Sequence, residues 1–182
     1  VNGTFFSKRL YSVLTRYVTN EGKNTDLVDK ILRDNFGVSI YVPDYNELTR
    51  GITDEGAEMF QQFTPEELLD ILAMYEEMPS GYHKIEGFNY IIRRKTGLPH
   101  PIYPSAAAVT WPTAGYIEFM SSTFTGDDLF SRYRLIIHEK SHMMWEHVFS
   151  EELKAEWAKV GGWYQEGDQW YTTKTTEFVT AY

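Results

Sequence analysis

The sequence of 182 residues contains no cysteine, which excludes disulfide bonds and metal sites built from thiolates. Basic residues are also scarce: 17 Lys and Arg stand against 26 Asp and Glu, a formal net charge of −9. A chain with this balance has little with which to neutralise a phosphate backbone, so we expect no nucleic-acid partner. No apolar run reaches the length of a membrane-spanning helix, so we also expect no membrane span.

Internal repeats are absent too, and no linker rich in Pro, Gly or Ser divides the chain. Apolar residues make up 42% of the sequence and aromatic residues 16%, which is typical of a globular protein. Length and composition therefore predict a single domain over residues 1–182. We expect this domain to be truncated at its C-terminal end, because the last helical pattern reaches Tyr182 without a helix-ending signal.

Apolar periodicity predicts more helices than strands. Helices are expected over FFSKRLYSVLTRYV, DLVDKILRDNFG, TPEELLDILAMYEEM and SEELKAEWAKVGGW, and a last one near TTKTTEF. Strands are expected over VSIYVP, FNYIIRR, AAAVTW and YIEFM, and the segment PTAG is expected to join the last two as a hairpin. Thr64, Pro65 and Glu67 have the order of a capping box with proline at the first helical position. A long helix is expected to open at TGDDLF, with acidic residues in its first turn.

That long helix contains the most specific pattern in the chain, LIIHEKSHMMW, with the form HExxH. Because residues four apart share one helical face, His138 and His142 can direct ring nitrogens at one ion. Neutral imidazole suits Zn²⁺, and catalytic zinc sites take three protein ligands and leave a position for water. Glu139 falls near that water, where it can act as a general base. The alternative is a core helix with two incidental histidines, but the apolar residues on both sides of the motif favour a site.

The third zinc ligand is expected to be a carboxylate from a later helix. A known extension of the motif adds a glycine and a third histidine, but Trp145 and Val148 occupy those positions here. His147 misses the ligand position by one residue and is expected to point to another helical face. Glu177 opens an apolar stretch 177 − 142 = 35 residues after the motif, which suits a helix–loop–helix return. The alternative for Glu177 is an exposed first-turn glutamate that the helix dipole favours.

Four segments, FGVSIYVPDY, GYIEFM, LIIHEKSHMMW and FVTAY, together resemble the anthrax-lethal-factor-like zinc metallopeptidases of the gluzincin group. The resemblance implies a zincin-like α+β fold, mostly helical, with a small mixed sheet and a long active-site helix. It implies that the edge strand near GYIEFM binds an extended peptide by strand addition. It also implies a secreted or cell-envelope protein.

The resemblance assigns the end of the chain differently from the composition argument. In the family, a stretch like FVTAY carries a tyrosine that stabilises the oxyanion, and the ligand glutamate follows about two helical turns later. This implies that Tyr182 is the oxyanion residue and that the third zinc ligand lies beyond it. The assignment of the third ligand to Glu177 or to a later residue therefore stays open.

These observations predict a zinc-dependent endopeptidase that hydrolyses peptide bonds in a peptide or protein substrate. His138 and His142 are the expected zinc ligands, and Glu139 is the expected general base that acts on a metal-activated water. A second hypothesis is a catalytically incomplete binding or interaction module with the same fold, because a third ligand is not assured within the chain. A third is a hydrolase that uses the same chemistry on esters or amides but not on peptides. Two other histidines, His83 and His100, lie in turn-like segments and are predicted to be structural.

Overall fold

The computed structural model describes residues 25–40, 57–126, 128–167 and 169–172. The chain divides into two compact units, residues 1–147 and 148–182. Glu177 and Tyr182 lie outside the described residues, as do the helices predicted at FFSKRLYSVLTRYV and near TTKTTEF. The single domain over residues 1–182 stays a prediction.

The first unit is built on a five-stranded mixed sheet. Its strands are β1 (Ser39–Ile40), β2 (Phe60–Gln61), β3 (Tyr90–Arg94), β4 (Ala108–Trp111) and β5 (Tyr116–Phe119). The order is β1-β3-β5-β4, with β1–β3 and β3–β5 parallel and β4–β5 antiparallel, while β2 pairs antiparallel with β3. The predicted α+β class with a small mixed sheet is confirmed.

Four α-helices lie in the described part of this unit: α1 (Thr25–Ile31), α2 (Pro65–Glu77), α3 (Ser121–Phe124) and α4 (Leu129–His147). Helix α1 continues into a π-helical turn, Leu32–Phe36, and ends at Gly37. Among the helices of the described residues, none combines the length and apolar character that a membrane span requires.

Helix α2 begins as its sequence predicts. The Thr64 hydroxyl accepts a hydrogen bond from the Glu67 amide at 3.2 Å, and Glu67 Oε2 accepts one from the Thr64 amide at 3.0 Å. Pro65 occupies the first helical turn, where its missing N–H would have no helical partner anyway. The buried residues of α2 run from Glu67 to Glu76, so this helix is enclosed on most of its faces.

The β4–β5 hairpin also forms as predicted, with residues 112–115 as its turn. Gly115 ends the turn at φ +76°, and a Cβ there would collide with the backbone oxygen of Gly87. An edge strand was expected near GYIEFM. Strand β5 in that segment is interior, paired with both β3 and β4, and among the described residues the edge strand beside it is β4.

Helix α4 begins later than predicted, at Leu129, so its first turn contains no acidic residue. The prediction of acids within that turn was wrong. Asp128 instead precedes the helix, and its Oδ1 accepts hydrogen bonds from the amides of Phe130 at 3.1 Å and Ser131 at 3.3 Å. A carboxylate in this position satisfies N–H groups that have no partner within the helix.

Both α2 and α4 contact the same face of the sheet. Arg93 of β3 reaches Glu67 of α2, and Thr110 of β4 reaches Glu139 of α4. The β3–β5 and β5–β4 registers set Arg93 beside Phe119 and Phe119 beside Ala108, so Arg93 and Thr110 project from one face. This arrangement brings the motif helix against the edge strand.

The second unit contains α5 (Glu151–Val160) and the hairpin of β6 (Trp163–Glu166) and β7 (Gln169–Thr172). Ser150 caps α5 by accepting a hydrogen bond from the Leu153 amide at 3.3 Å, and the helix ends at Gly161, as predicted. The two strands of this hairpin were not predicted from the sequence. They are short and carry mixed polar and aromatic residues, so no alternating pattern announces them.

Candidate active site

His138 and His142 lie one turn apart on α4. Their Nε2 atoms are 3.1 Å apart, and their ring centroids are 4.7 Å apart with the rings nearly perpendicular, at 89°. The side chain of His138 is partly buried, and that of His142 is exposed. The two nitrogens therefore converge at the protein surface.

This spacing fits two ligands of one metal ion. Two nitrogens at the usual zinc distance of about 2.0–2.1 Å and a tetrahedral angle would lie about 3.3–3.4 Å apart. The observed 3.1 Å requires a shift of only a few tenths of an ångström. Partial desolvation by surrounding protein atoms lowers the pKa of both histidines, and the nearby His138 lowers the pKa of His142 further. Neutral imidazole, which is the ligating form, is therefore favoured at neutral pH.

Within the described residues, no third His, Asp or Glu joins this pair to complete a metal-binding group. Glu177 and Tyr182, the residues expected near the zinc, lie outside the described part of the chain. The third ligand therefore stays a prediction.

Glu139 is buried between α4 and the edge strand β4. Thr110 Oγ1 lies 2.6 Å from Glu139 Oε2 and 3.0 Å from the Glu139 carbonyl oxygen, and its single hydrogen serves the shorter contact. Burial raises the pKa of Glu139 to about 6, and the Thr110 hydrogen bond partly opposes that rise. A carboxyl group with a pKa in this range can both accept and return a proton near neutral pH.

The edge strand offers backbone hydrogen-bonding groups beside Glu139. Among the described residues, β4 pairs only with β5. The Met120 amide donates to the Ala107 carbonyl at 2.9 Å, which sets the alternation of the ladder along the hairpin. Val109 and Trp111 therefore direct their backbone groups toward β5, whereas those of Ala108 and Thr110 point outward. Thr110 thus joins the outer edge of the sheet to the Glu139 carboxylate.

Lys140 is a buried residue of the motif helix that the sequence analysis missed. Its Nζ donates to the His83 carbonyl at 3.0 Å and lies 4.2 Å from the ring centre of Tyr75. Burial lowers the pKa of Lys140 to about 7. The pKa of Tyr75 is raised by burial and then by the charge of Glu139. The spacing of Lys140 from Ile136 and Met143, four and three residues away, indicates the buried face and could have identified it.

The three remaining histidines bond to backbone groups. His83 Nε2 is 2.8 Å from the Met78 carbonyl oxygen, and His147 Nε2 is 2.9 Å from the Pro112 carbonyl oxygen. His100 is buried, and its Nδ1 accepts hydrogen bonds from two amides, those of Ile102 and Tyr103. These contacts agree with the structural roles expected for His83 and His100. They also agree with the expectation that His147 points away from His138 and His142.

Comparisons with protein-family models, with curated proteins and with solved structures found no match to this chain. The resemblance to the lethal-factor-like peptidases therefore stays a prediction.

Proposed function

We propose that this chain is a zinc-dependent endopeptidase, with His138 and His142 as zinc ligands and Glu139 as the general base. The observation that carries the proposal is the pair of Nε2 atoms 3.1 Å apart, on the helix that also carries the buried Glu139 carboxyl. Burial and spacing fit these three residues to one hydrolytic centre. The substrate is a peptide or protein.

Each residue has a defined part in the hydrolysis. Zinc, when bound, supplies a Lewis acid that makes water acidic enough to yield hydroxide near neutral pH. The Glu139 carboxylate takes the proton of the attacking water and returns it to the leaving amine, as its pKa of about 6 allows. The Thr110 hydroxyl holds Glu139 Oε2 in one orientation throughout.

The outer edge of β4 suits an extended peptide as substrate. A peptide that adds to this edge would bond to the outward-facing backbone groups of Ala108 and Thr110. Because Thr110 also contacts Glu139, such a peptide would run past the general base. Recognition through the main chain favours unstructured or locally unfolded segments over folded proteins.

The binding-module hypothesis keeps support from one observation: the described residues contain no group of three metal-ligating side chains that could hold a metal ion. The hydrolase hypothesis for esters and amides shares the same residues and differs only in substrate. Both alternatives can be separated from a peptidase by direct measurement.

The first experiment measures the zinc content and zinc affinity of the purified chain beside those of His142→Ala. An endopeptidase site predicts one tightly bound zinc per chain, lost in His142→Ala and retained in a His83→Ala control. Glu177→Ala then tests the candidate third ligand. Failure of the wild-type chain to bind zinc would contradict the proposal for this chain and would favour the binding module.

The second experiment compares wild type with Glu139→Gln on an unstructured protein such as casein, on peptides and on simple esters. The glutamine cannot accept the proton, so turnover should fall by about 10²–10⁴-fold while zinc remains bound. Undiminished cleavage by Glu139→Gln would rule out the assigned base. Turnover of esters without any cleavage of peptides would favour the other hydrolase.

A further inference from the structure

His147, the last residue of α4, forms a hydrogen bond to the turn of the β4–β5 hairpin. Its Nε2 lies 2.9 Å from the carbonyl oxygen of Pro112, the first residue of that turn. A carbonyl oxygen can only accept, so Nε2 carries the hydrogen of this bond. The end of the motif helix is thereby attached to the end of the edge strand.

The exposed imidazole of His147 lies against Gly87. A Cβ at Gly87 would lie only 2.7 Å from His147 Cε1, and Gly87 also has φ +89°, which side chains rarely adopt. The turn residue Gly115 also approaches Gly87, so closely that a Cβ at Gly115 would collide with the Gly87 oxygen. The Gly115 carbonyl accepts from the amides of Asn89 at 2.8 Å and Tyr90 at 3.1 Å. The end of α4, the segment at Gly87 and the hairpin turn therefore meet closely.

In the described part of the chain, the His147–Pro112 bond and the Thr110–Glu139 bond both join α4 to the edge hairpin. Their anchors on α4, Glu139 and His147, are eight residues apart, or about 12 Å along the axis at 1.5 Å per residue. The ladder to β5 holds the strand within the sheet. Two bonds at this separation help to set its direction along the helix.

We propose that His147 is a positioning residue that sets the edge strand relative to the histidine pair and Glu139. It touches neither metal nor substrate and acts through Pro112 and β4. The inference rests on the proposed function in one respect, because a peptide bound to β4 is what the placement of the strand would orient. Loss of the bond should weaken and misalign the bound peptide and should leave the zinc ligands intact.

The test uses two variants of the full chain, His147→Ala and His147→Gln, because the glutamine amide can still donate to the Pro112 carbonyl. A quenched-fluorescence peptide cut by the wild type reports KM and kcat, and amide exchange reports the mobility of residues 108–119. We expect His147→Ala to raise KM about tenfold, since small misplacements of substrate are costly. Amide exchange of the hairpin should become faster, and zinc affinity should change less than about twofold. In His147→Gln, KM and hairpin exchange should both return most of the way to their wild-type values.

His83→Ala is the matched control. His83 also bonds to a carbonyl oxygen, that of Met78 at 2.8 Å, and its ring packs on Phe36 with centroids 5.0 Å apart. It does not contact the hairpin turn through that bond, so its loss should lower Tm without changing KM or the exchange of residues 108–119. A general effect of destabilisation would instead raise KM in both alanine variants.

The outcomes separate this inference from the proposed function. Unchanged KM and unchanged hairpin exchange in His147→Ala would overturn the positioning role, as would equal losses in the alanine and glutamine variants. If the wild type cuts no peptide, the proposed function fails, and the exchange comparison still decides whether His147 holds the hairpin.

Discussion

Glu67 on α2 and Glu139 on α4 are both buried glutamates that face the sheet, but their partners differ in charge. Glu67 Oε1 accepts from Arg93 Nε at 3.1 Å and Nη2 at 2.9 Å. Asp70, also on α2, accepts from Arg132 Nη1 at 2.6 Å. The hydrogen bond to the Glu139 carboxylate comes from the neutral hydroxyl of Thr110. Two guanidinium groups therefore donate hydrogen bonds to acidic residues of α2, while a hydroxyl donates to the buried Glu139 of α4.

The difference shows how one fold can bury the same residue type with and without a charged partner. A guanidinium group offsets much of the desolvation of a carboxylate, and Arg93 is placed to do so for Glu67. A hydroxyl offsets less, and burial therefore raises the pKa of Glu139 to about 6. Lys140 on the same helix is a buried cation whose pKa is lowered to about 7. Two buried groups with pKa values near neutrality, Glu139 and Lys140, thus lie on the motif helix.

The largest expected effect comes from Glu67→Gln, which leaves Arg93 buried without its counterion. Glutamine can still serve the capping box, so the change isolates the ion pair. We expect the free energy of unfolding to fall by about 3–4 kcal/mol. Urea denaturation at pH 7 measures it, and a loss below about 1 kcal/mol would show that the two helices hold their acids in the same way.

Lys140→Met should act in the opposite direction. The folded state lowers the pKa of Lys140 from 10.5 to about 7, so the unfolded chain binds this proton more tightly. The resulting penalty is fully present below pH 7 and disappears as the pH rises toward 10.5. Contacts with Tyr75 and the His83 carbonyl offset part of it. We expect the variant to be about 2–3 kcal/mol more stable than wild type at pH 6, with the gap closing at pH 10.

Denaturation curves at both pH values measure the Lys140→Met effect. Exposed Lys95 provides the matched control, because Lys95→Met should leave stability nearly unchanged at either pH. A destabilised Lys140→Met variant at pH 6 would mean that the ammonium group contributes more through its contacts than its burial costs.

Glu139→Gln should remove a pH dependence from the zinc-free protein. The folded state raises the pKa of Glu139 from 4.5 to about 6, so the folded chain binds this proton more tightly than the unfolded chain. Wild-type stability should therefore fall by about 2 kcal/mol as the pH rises from 4.5 to 6, then level off. The variant should lack this component of the fall. Measurements need a chelator, since a bound cation would change the field at the carboxylate.

Thr110→Val should produce the smallest effect. Loss of the hydroxyl removes one hydrogen bond to a carboxylate, so stability at pH 7 should fall by about 1 kcal/mol. Because that bond lowers the pKa of Glu139, its loss should move the acidic limb of the activity profile to higher pH. Thr110→Ser keeps the hydroxyl and serves as the control. If the acidic limb of the pH–activity profile did not shift in Thr110→Val, Thr110 would not influence the proposed general base.

Features that depend on near neighbours in the chain were predicted well. The capping box of α2 and the four-residue turn of the β4–β5 hairpin formed as expected, because their partners are within a few residues. The start of α4 was predicted too early, at TGDDLF, whereas the helix begins at Leu129. Several residues of that segment could begin a helix, and the sequence pattern does not choose among them. The β6–β7 hairpin was missed because its strands carry no alternating pattern.

Sequence alone determined the convergence of His138 and His142, because the helical rise and turn bring residues four apart onto one face. Tertiary structure decided which strand forms the sheet edge, what bonds to Glu139 and where His147 attaches. The Thr110–Glu139 bond joins residues 29 apart, and the Pro112–His147 bond joins residues 35 apart. Local periodicity carries no information about such pairs. They exist because the order of strands in the sheet leaves β4 at the edge, where α4 packs against it.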